Sequence, residues 1–229
     1  MRQKRILIPT QSADDWKRLL AEQNKHWKPG YSAMLMAETW ENASGLPSEI
    51  ASVFHASKDG YFKDLQLALV IPEYKVPLEG GTQPSQNDVF ALLSSEKGLT
   101  ALTVEGKARE DFGPTLAQWR SKVSEEGYRK RIDHILASTG LRDQIPEHIR
   151  YQLLHRTASA VIEANRFHCK AAAMIVQSVH ILHNAQAELS KLKDLPFQLS
   201  SGLLVALEFI DDDEDDYGNR SFGRADKRV

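Results

Sequence analysis

Residues 85–107 read SQNDVFALLSSEKGLTALTVEGK, two apolar, β-branched runs joined by Ser94-Ser95-Glu96-Lys97-Gly98. Runs of this kind on either side of a short polar, glycine-ended turn predict a β-hairpin. Just upstream, LQLALVIPEYKVPL (residues 65–78) ends at Glu79-Gly80-Gly81 and adds a third strand, so the stretch predicts a three-strand meander. Pro72 and Pro77 each remove a backbone donor, which places that first strand at an edge of the sheet or interrupts it there. Three charges interrupt these strands: Asp88, Glu105 and Lys107. If Leu93 lies opposite Leu99 or Thr100, Asp88 lies opposite Val104 or Glu105, and Glu105 and Lys107, two residues apart, share a face. Facing carboxylates repel, and burying them unpaired costs several kcal/mol each, so the pattern calls for a counter-charge. A hard divalent cation, Mg²⁺ or Mn²⁺, is one answer. A solvated Glu-Lys pair at a strand end, with Asp88 starting its strand, is the plainer one.

Outward from the hairpin, helical and strand patterns alternate without a linker or an internal repeat. On the N-terminal side, RILIP predicts a short strand, Thr10 or Ser12 caps a helix, Pro29-Gly30 turns into a helix over about 32–43, and SEIASVFHAS forms another. On the C-terminal side, residues 114–140 show helical spacing in Ile132, Ile135 and Leu136 and stop at Gly140. PEHIRYQLLHRTASAVIEANRF is amphipathic: Leu153, Leu154, Thr157, Ala158, Val161 and Ile162 line one side, with Gln152, Arg156, Ser159 and Glu163 on the other. AAAMIVQSV predicts a strand buried on both faces, then come a helix over about 183–192 and a last strand, SGLLVALEFI. The expectation is an α/β fold, a mixed central sheet flanked by helices. It forms one domain over 1–210, with a helical N-terminal part at about 10–57 and a core at about 64–210. Residues 211–229, acidic and then basic with little apolar content, are expected to be disordered.

The chain has 229 residues and a formal charge of −2, so a polyanion partner would need a local basic groove. Tyr128–His134 with Arg142, Arg150 and Arg156 supplies candidates, and Trp119 or Tyr128 could stack on a base. The single cysteine, Cys169, excludes an intramolecular disulfide, and no apolar run is long enough for a signal peptide or a membrane span. A cytoplasmic protein is expected. His180 and His183 have metal-ligand spacing but no third partner.

An acid at the start of one strand, Glu-x-Lys late in the next and helices on either side resemble the PD-(D/E)XK superfamily of restriction-endonuclease-like nucleases. HWKPGYSAMLMAETWENA, IPEYKVPLEGGTQPSQNDVF, VEGKAREDFGPT and RYQLLHRTASA together look like one bacterial family within it. The resemblance spans about residues 6–210 and implies a restriction-endonuclease-like core with an N-terminal helical extension. It implies a nuclease hydrolysing DNA with Mg²⁺, or Mn²⁺ in its place, in which Asp88 and Glu105 hold the metal and Lys107 is the catalytic lysine. Glu41, or Glu38, stands for the glutamate that members add from the preceding helix. Gln86, Gln152 and Arg156 would contact substrate, and Glu73 is a further ligand candidate that could instead pair with Lys75 or Lys107. A homodimer is expected for cutting both strands. Asn87 replaces the proline of the superfamily motif, and Gly106 replaces an apolar residue, as at a β-bulge. The alternative is a nuclease fold that has lost catalysis and binds nucleic acid or protein.

Overall fold

The computed structural model describes residues 6–8, 10–108, 110–141, 145–178, 185–193, 195 and 202–209. The meander forms as expected: β1 (Gln66–Val76), β2 (Ser85–Ser95) and β3 (Gly98–Lys107) pair antiparallel in sequence order. Leu93 pairs with Thr100, one of the two registers the hairpin allowed. β4 (Ala171–Ser178) pairs parallel to β3, and β5 (Gly202–Phe209) parallel to β4, giving an open mixed sheet of five strands in the order β1-β2-β3-β4-β5. The parallel step from β3 to β4 needs a long crossover. Helices α4 (Leu116–Arg120), α5 (Glu125–Thr139) and α6 (Tyr151–Arg166) supply it. Gly140 ends α5 in the left-handed conformation, φ 67°, that glycine adopts without penalty.

β1 is an edge strand, as its prolines require, and Pro72 sits opposite Val89. Among the described residues of RILIP, 6–8, there is an isolated parallel bridge, Ile6 to Val70, in place of the expected strand. Ser12 does cap the next element through a capping box with Asp15, but residues Ala13–Leu19 form a 3₁₀ helix. α1 (Gln23–His26), α2 (Ser32–Asn42) and α3 (Ser48–Ala56) follow before β1.

Alternation along the strands sorts the core into two layers. Phe90, Leu92, Ala101, Ala172, Met174 and Val176 face α5, α6 and α7 (Ala185–Lys193). Val89, Ala91, Leu93, Leu102, Val104 and Ile175 face Trp16 and α2 and α3, which contribute Met36, Trp40, Ile50 and Phe54. Phe90, Leu93, Leu102 and Met174 are fully buried, each stabilising by about 1.5–3 kcal/mol.

α6 lies across the first layer and is buried on both of its sides, including the polar one: Arg156, Ser159 and Glu163 are all inside. These groups are satisfied. Ser159 and Thr157 donate to carbonyls one turn back, Thr103 Oγ1 donates to the Arg156 carbonyl at 3.2 Å, and Tyr74 Oη donates to Glu163 at 3.1 Å. The polar side of α6 is a second inward face rather than a solvated one.

The turn between β1 and β2 packs on α5 by backbone contact. A Cβ on Gly80, φ 82°, would come within 2.4 Å of the Arg131 amide nitrogen, so only glycine fits. Among the described residues no helix is long and apolar enough to cross a membrane. The expected tail at 211–229, His180, His183 and Arg142 lie outside the described residues.

Candidate functional site

The meander lays three carboxylates in one row. The β2–β3 pairing ends at Val89–Val104, which leaves Asp88 and Glu105 as the next residues beyond it on neighbouring strands. Pro72 pairs with Val89 and Tyr74 with Asn87, so Glu73 faces Asp88 from β1. The face covered by α6 carries Glu105, which accepts from Gln152 and Arg156 of that helix. Lys107 shares it: its Nζ lies 3.1 Å from Glu105 Oε1, and both side chains are almost wholly buried. Asp88 Oδ2 accepts the Gly106 backbone N–H at 2.7 Å. Asp88, Glu105 and Lys107 therefore meet in one place, as their spacing predicts. Glu73 stands in an uncommon left-handed conformation, φ 52°, and Gln86 Nε2 donates to its Oε2 at 2.6 Å, so neither Lys75 nor Lys107 is its hydrogen-bond partner.

Gly106 brings no bulge, since β3 pairs with β4 without a break from Thr100 to Lys107. Its missing side chain has another cause. A Cβ there would lie 2.5 Å from Met36 Cγ on α2 and 3.3 Å from Asp88 Oδ2, so glycine lets α2 reach the strand and Asp88 reach the amide.

α6 closes the site from above. Gln152 Nε2 donates to Glu105 Oε1 at 2.5 Å, and Arg156 Nε donates to Glu105 Oε2 at 2.5 Å. Arg156 NH1 donates to Ser85 Oγ at 3.0 Å, and Ser85 Oγ lies 2.8 Å from His155 Nδ1. Arg156 is buried and spends two of its donor groups inward, Nε on Glu105 and NH1 on Ser85. Ser85 and His155 are not among the site residues expected from the sequence. The signal was present for His155, which is three residues after Gln152 on a helix. Nothing in the sequence marks a strand-initial serine as its partner.

Three carboxyls share two cations, and the proton affinities follow. Burial raises Glu105, but Arg156 and Lys107 outweigh it and hold the carboxyl below its usual range. Burial, then Glu105 and Glu73, push Asp88 well above the carboxylate range. Burial also raises Glu73 to about 7 against its bond from Gln86, with the Glu105 charge adding to the rise. His155 is held well below its usual range by burial and by Arg156, Arg131 and Lys107.

Other expected residues stand elsewhere. Glu41 is not brought to the row: α2 covers the opposite face, and the Glu41 carboxylate accepts from Thr10 Oγ1 at 2.8 Å and Trp16 Nε1 at 3.1 Å. Met36, in the middle of α2, meets Gly106, and Glu41 is near the far end of the helix. In the basic segment, Arg131 is a buried clamp that donates to the Glu79 and Gln83 carbonyls and to Tyr151 Oη, and Lys130 pairs with Glu126. Arg150 is tied to Asp111 and Glu188. Trp119 stacks on Tyr151 with centroids 3.8 Å apart, so this face of its ring is taken.

A family model for a domain of unknown function, DUF6946, matches residues 9–212. The chain belongs to the DUF6946 family. No curated protein and no solved structure matches it. For this DUF6946 chain the chemistry must therefore come from the side chains. Among the described residues no group of three or more His, Cys, Asp or Glu side chains is placed to hold a metal ion. Mg²⁺ asks for less, one or two carboxylates with water and phosphate. Asp88, Glu73 and Glu105 are hard oxygen donors of that kind, and burial, more than the neighbouring carboxylates, raises the proton affinity of Asp88 and Glu73.

Proposed function

We propose that this chain is a metal-dependent nuclease that hydrolyses phosphodiester bonds in DNA, with Asp88, Glu105 and Lys107 as its working residues and a restriction-endonuclease-like core as its scaffold. The observation that supports this most is the meeting of those three side chains where the start of β2 lies beside the end of β3, with Lys107 Nζ 3.1 Å from Glu105 and Asp88 Oδ2 on the Gly106 N–H at 2.7 Å. Asp88 and Glu105 would hold Mg²⁺, or Mn²⁺ in its place, and such an ion supplies positive charge against the phosphoryl oxygens. Lys107 carries its charge and its three donors at the edge of the acids, suited to orienting a water and to stabilising negative charge that develops on a phosphate. Gln152 and Arg156 fix the plane of the Glu105 carboxylate, so this acid is oriented before substrate arrives. Gln86 orients Glu73 at the rim in the same way. The same reading puts the chain in the cytoplasm, and as a homodimer if both strands are cut.

The test is cleavage of supercoiled plasmid and of labelled oligonucleotides with Mg²⁺ or Mn²⁺. Wild type should nick, and Lys107→Met or Glu105→Gln should lower the rate by at least about 100-fold, the scale of losing one preorganised electrostatic group. Equal rates in all three proteins would refute the proposal.

One observation favours the second reading, a nuclease fold that only binds. Both Glu105 oxygens already accept hydrogen bonds from α6. That reading expects no Mg²⁺ heat in calorimetry, with salt-sensitive DNA affinity that survives Lys107→Met.

A further inference from the structure

Arg156 is locked on Glu105 by two groups outside the carboxylate row. A guanidinium has donors only, so the 3.0 Å contact from Arg156 NH1 makes Ser85 Oγ an acceptor. The single Ser85 proton then points along the 2.8 Å contact to His155 Nδ1, since the alternative His155 carbonyl is 3.4 Å away. His155 Nδ1 must therefore be the acceptor, with the ring neutral and its proton on Nε2. Ser85 is buried, Arg156 nearly so, and β2 and α6 supply one side of the lock each.

We propose that Ser85 and His155 are a positioning pair: through Ser85 Oγ they fix Arg156 on Glu105 and so orient the carboxylate on which the nuclease reading rests. A proton on Nδ1 would aim two cationic donors at one hydroxyl and break the chain of donors. The surroundings oppose this. His155 faces Arg156 on its own helix, Arg131 from α5, Lys107 from β3 and the Tyr151 ring with centroids 4.7 Å apart, and the three cations disfavour imidazolium. Removing the hydroxyl frees NH1 and lets the planar guanidinium swing about its Cδ–Nε bond, which turns the Nε–H away from Glu105.

The experiment is NMR on the isotope-labelled full chain. In wild type the His155 ring nitrogens should report the neutral Nε2–H form at pH 5.5 as well as pH 7.5. The Arg156 Nε–H should exchange slowly, accelerate about tenfold in Ser85→Ala for the loss of one charge-assisted hydrogen bond, and return toward wild type in Ser85→Thr. His155→Asn keeps an acceptor near the Nδ1 position and should preserve slow exchange, whereas His155→Phe should lose it. Unchanged Arg156 exchange in both Ser85→Ala and His155→Phe, or a His155 proton on Nδ1, would overturn the pair. If Ser85→Ala does not fold, as judged by circular dichroism, the His155→Phe and His155→Asn contrast decides. These readouts need no turnover, so a chain that shows the lock but does not cleave DNA refutes the nuclease reading and leaves the pair standing. Cleavage with Arg156 indifferent to both variants does the reverse.

Discussion

Replacing Glu73 by glutamine should stabilise the protein, and increasingly so as pH rises above about 4.5. Glu73 stands opposite Asp88 and near Glu105, and the fold raises it from the ordinary 4.5 to about 7. The folded chain thus holds this proton more tightly than the unfolded chain, so the group's contribution is fully present below pH 4.5 and is lost as pH rises through about 7. At about 1.4 kcal/mol per tenfold change in proton affinity, the interval from 4.5 to about 7 corresponds to about 3 kcal/mol. Glutamine keeps the shape and the acceptor for Gln86 Nε2 but has no charge to bury. Urea unfolding followed by tryptophan fluorescence, from pH 4.5 to 8.5, measures both proteins. They should be nearly equally stable at pH 4.5, with the variant gaining steadily to about 3 kcal/mol by pH 8. Asp88, raised in the same direction, remains in the variant and is eased by the loss of a neighbouring charge. A variant no more stable than wild type at pH 8, or a gap that does not change with pH, would refute the crowded-carboxylate account of this row.

Glu105 has the opposite sign: its stabilisation is present above the ordinary 4.5 and is lost as pH falls through its lower folded value. Glu105→Gln should lose this acid-limb dependence and, by leaving Arg156 and Lys107 without their counter-charge, cost about 3–5 kcal/mol at neutral pH in the same urea assay. Gly106→Ala should destabilise by about 1–3 kcal/mol because the new methyl meets Met36, and Met36→Ala in the same chain should cost less than the two single changes together. Additive effects would show that Met36 is not what excludes a side chain at Gly106.

The meander was legible because alternation, turn residues and two prolines all point to one hairpin, with two neighbouring registers, and one edge strand. That hairpin alone brought Asp88 to Glu105 and Lys107. The helix over residues 151–166 was legible as an element but not as an environment. Arg156, Ser159 and Glu163 follow one another like a solvated stripe, and a sequence cannot say that a second layer lies on that side. Glu41 shows the same limit: its spacing from Ala33 and Ala37 put it on a close-packing face, but which face of the sheet that helix covers is not a local property.

By itself, then, the sequence determined the element order, the α/β class, the β2–β3 hairpin to within one residue of register and the convergence of one amine with two acids. These follow from interactions between residues close along the chain, whose geometry the backbone repeats. The tertiary structure alone decided that Arg156 neutralises Glu105 from inside, that Ser85 and His155 hold it, and that Glu41 belongs to the other face. Those contacts join residues dozens of positions apart, and they exist only once burial has stripped water from the charges and left each other as partners.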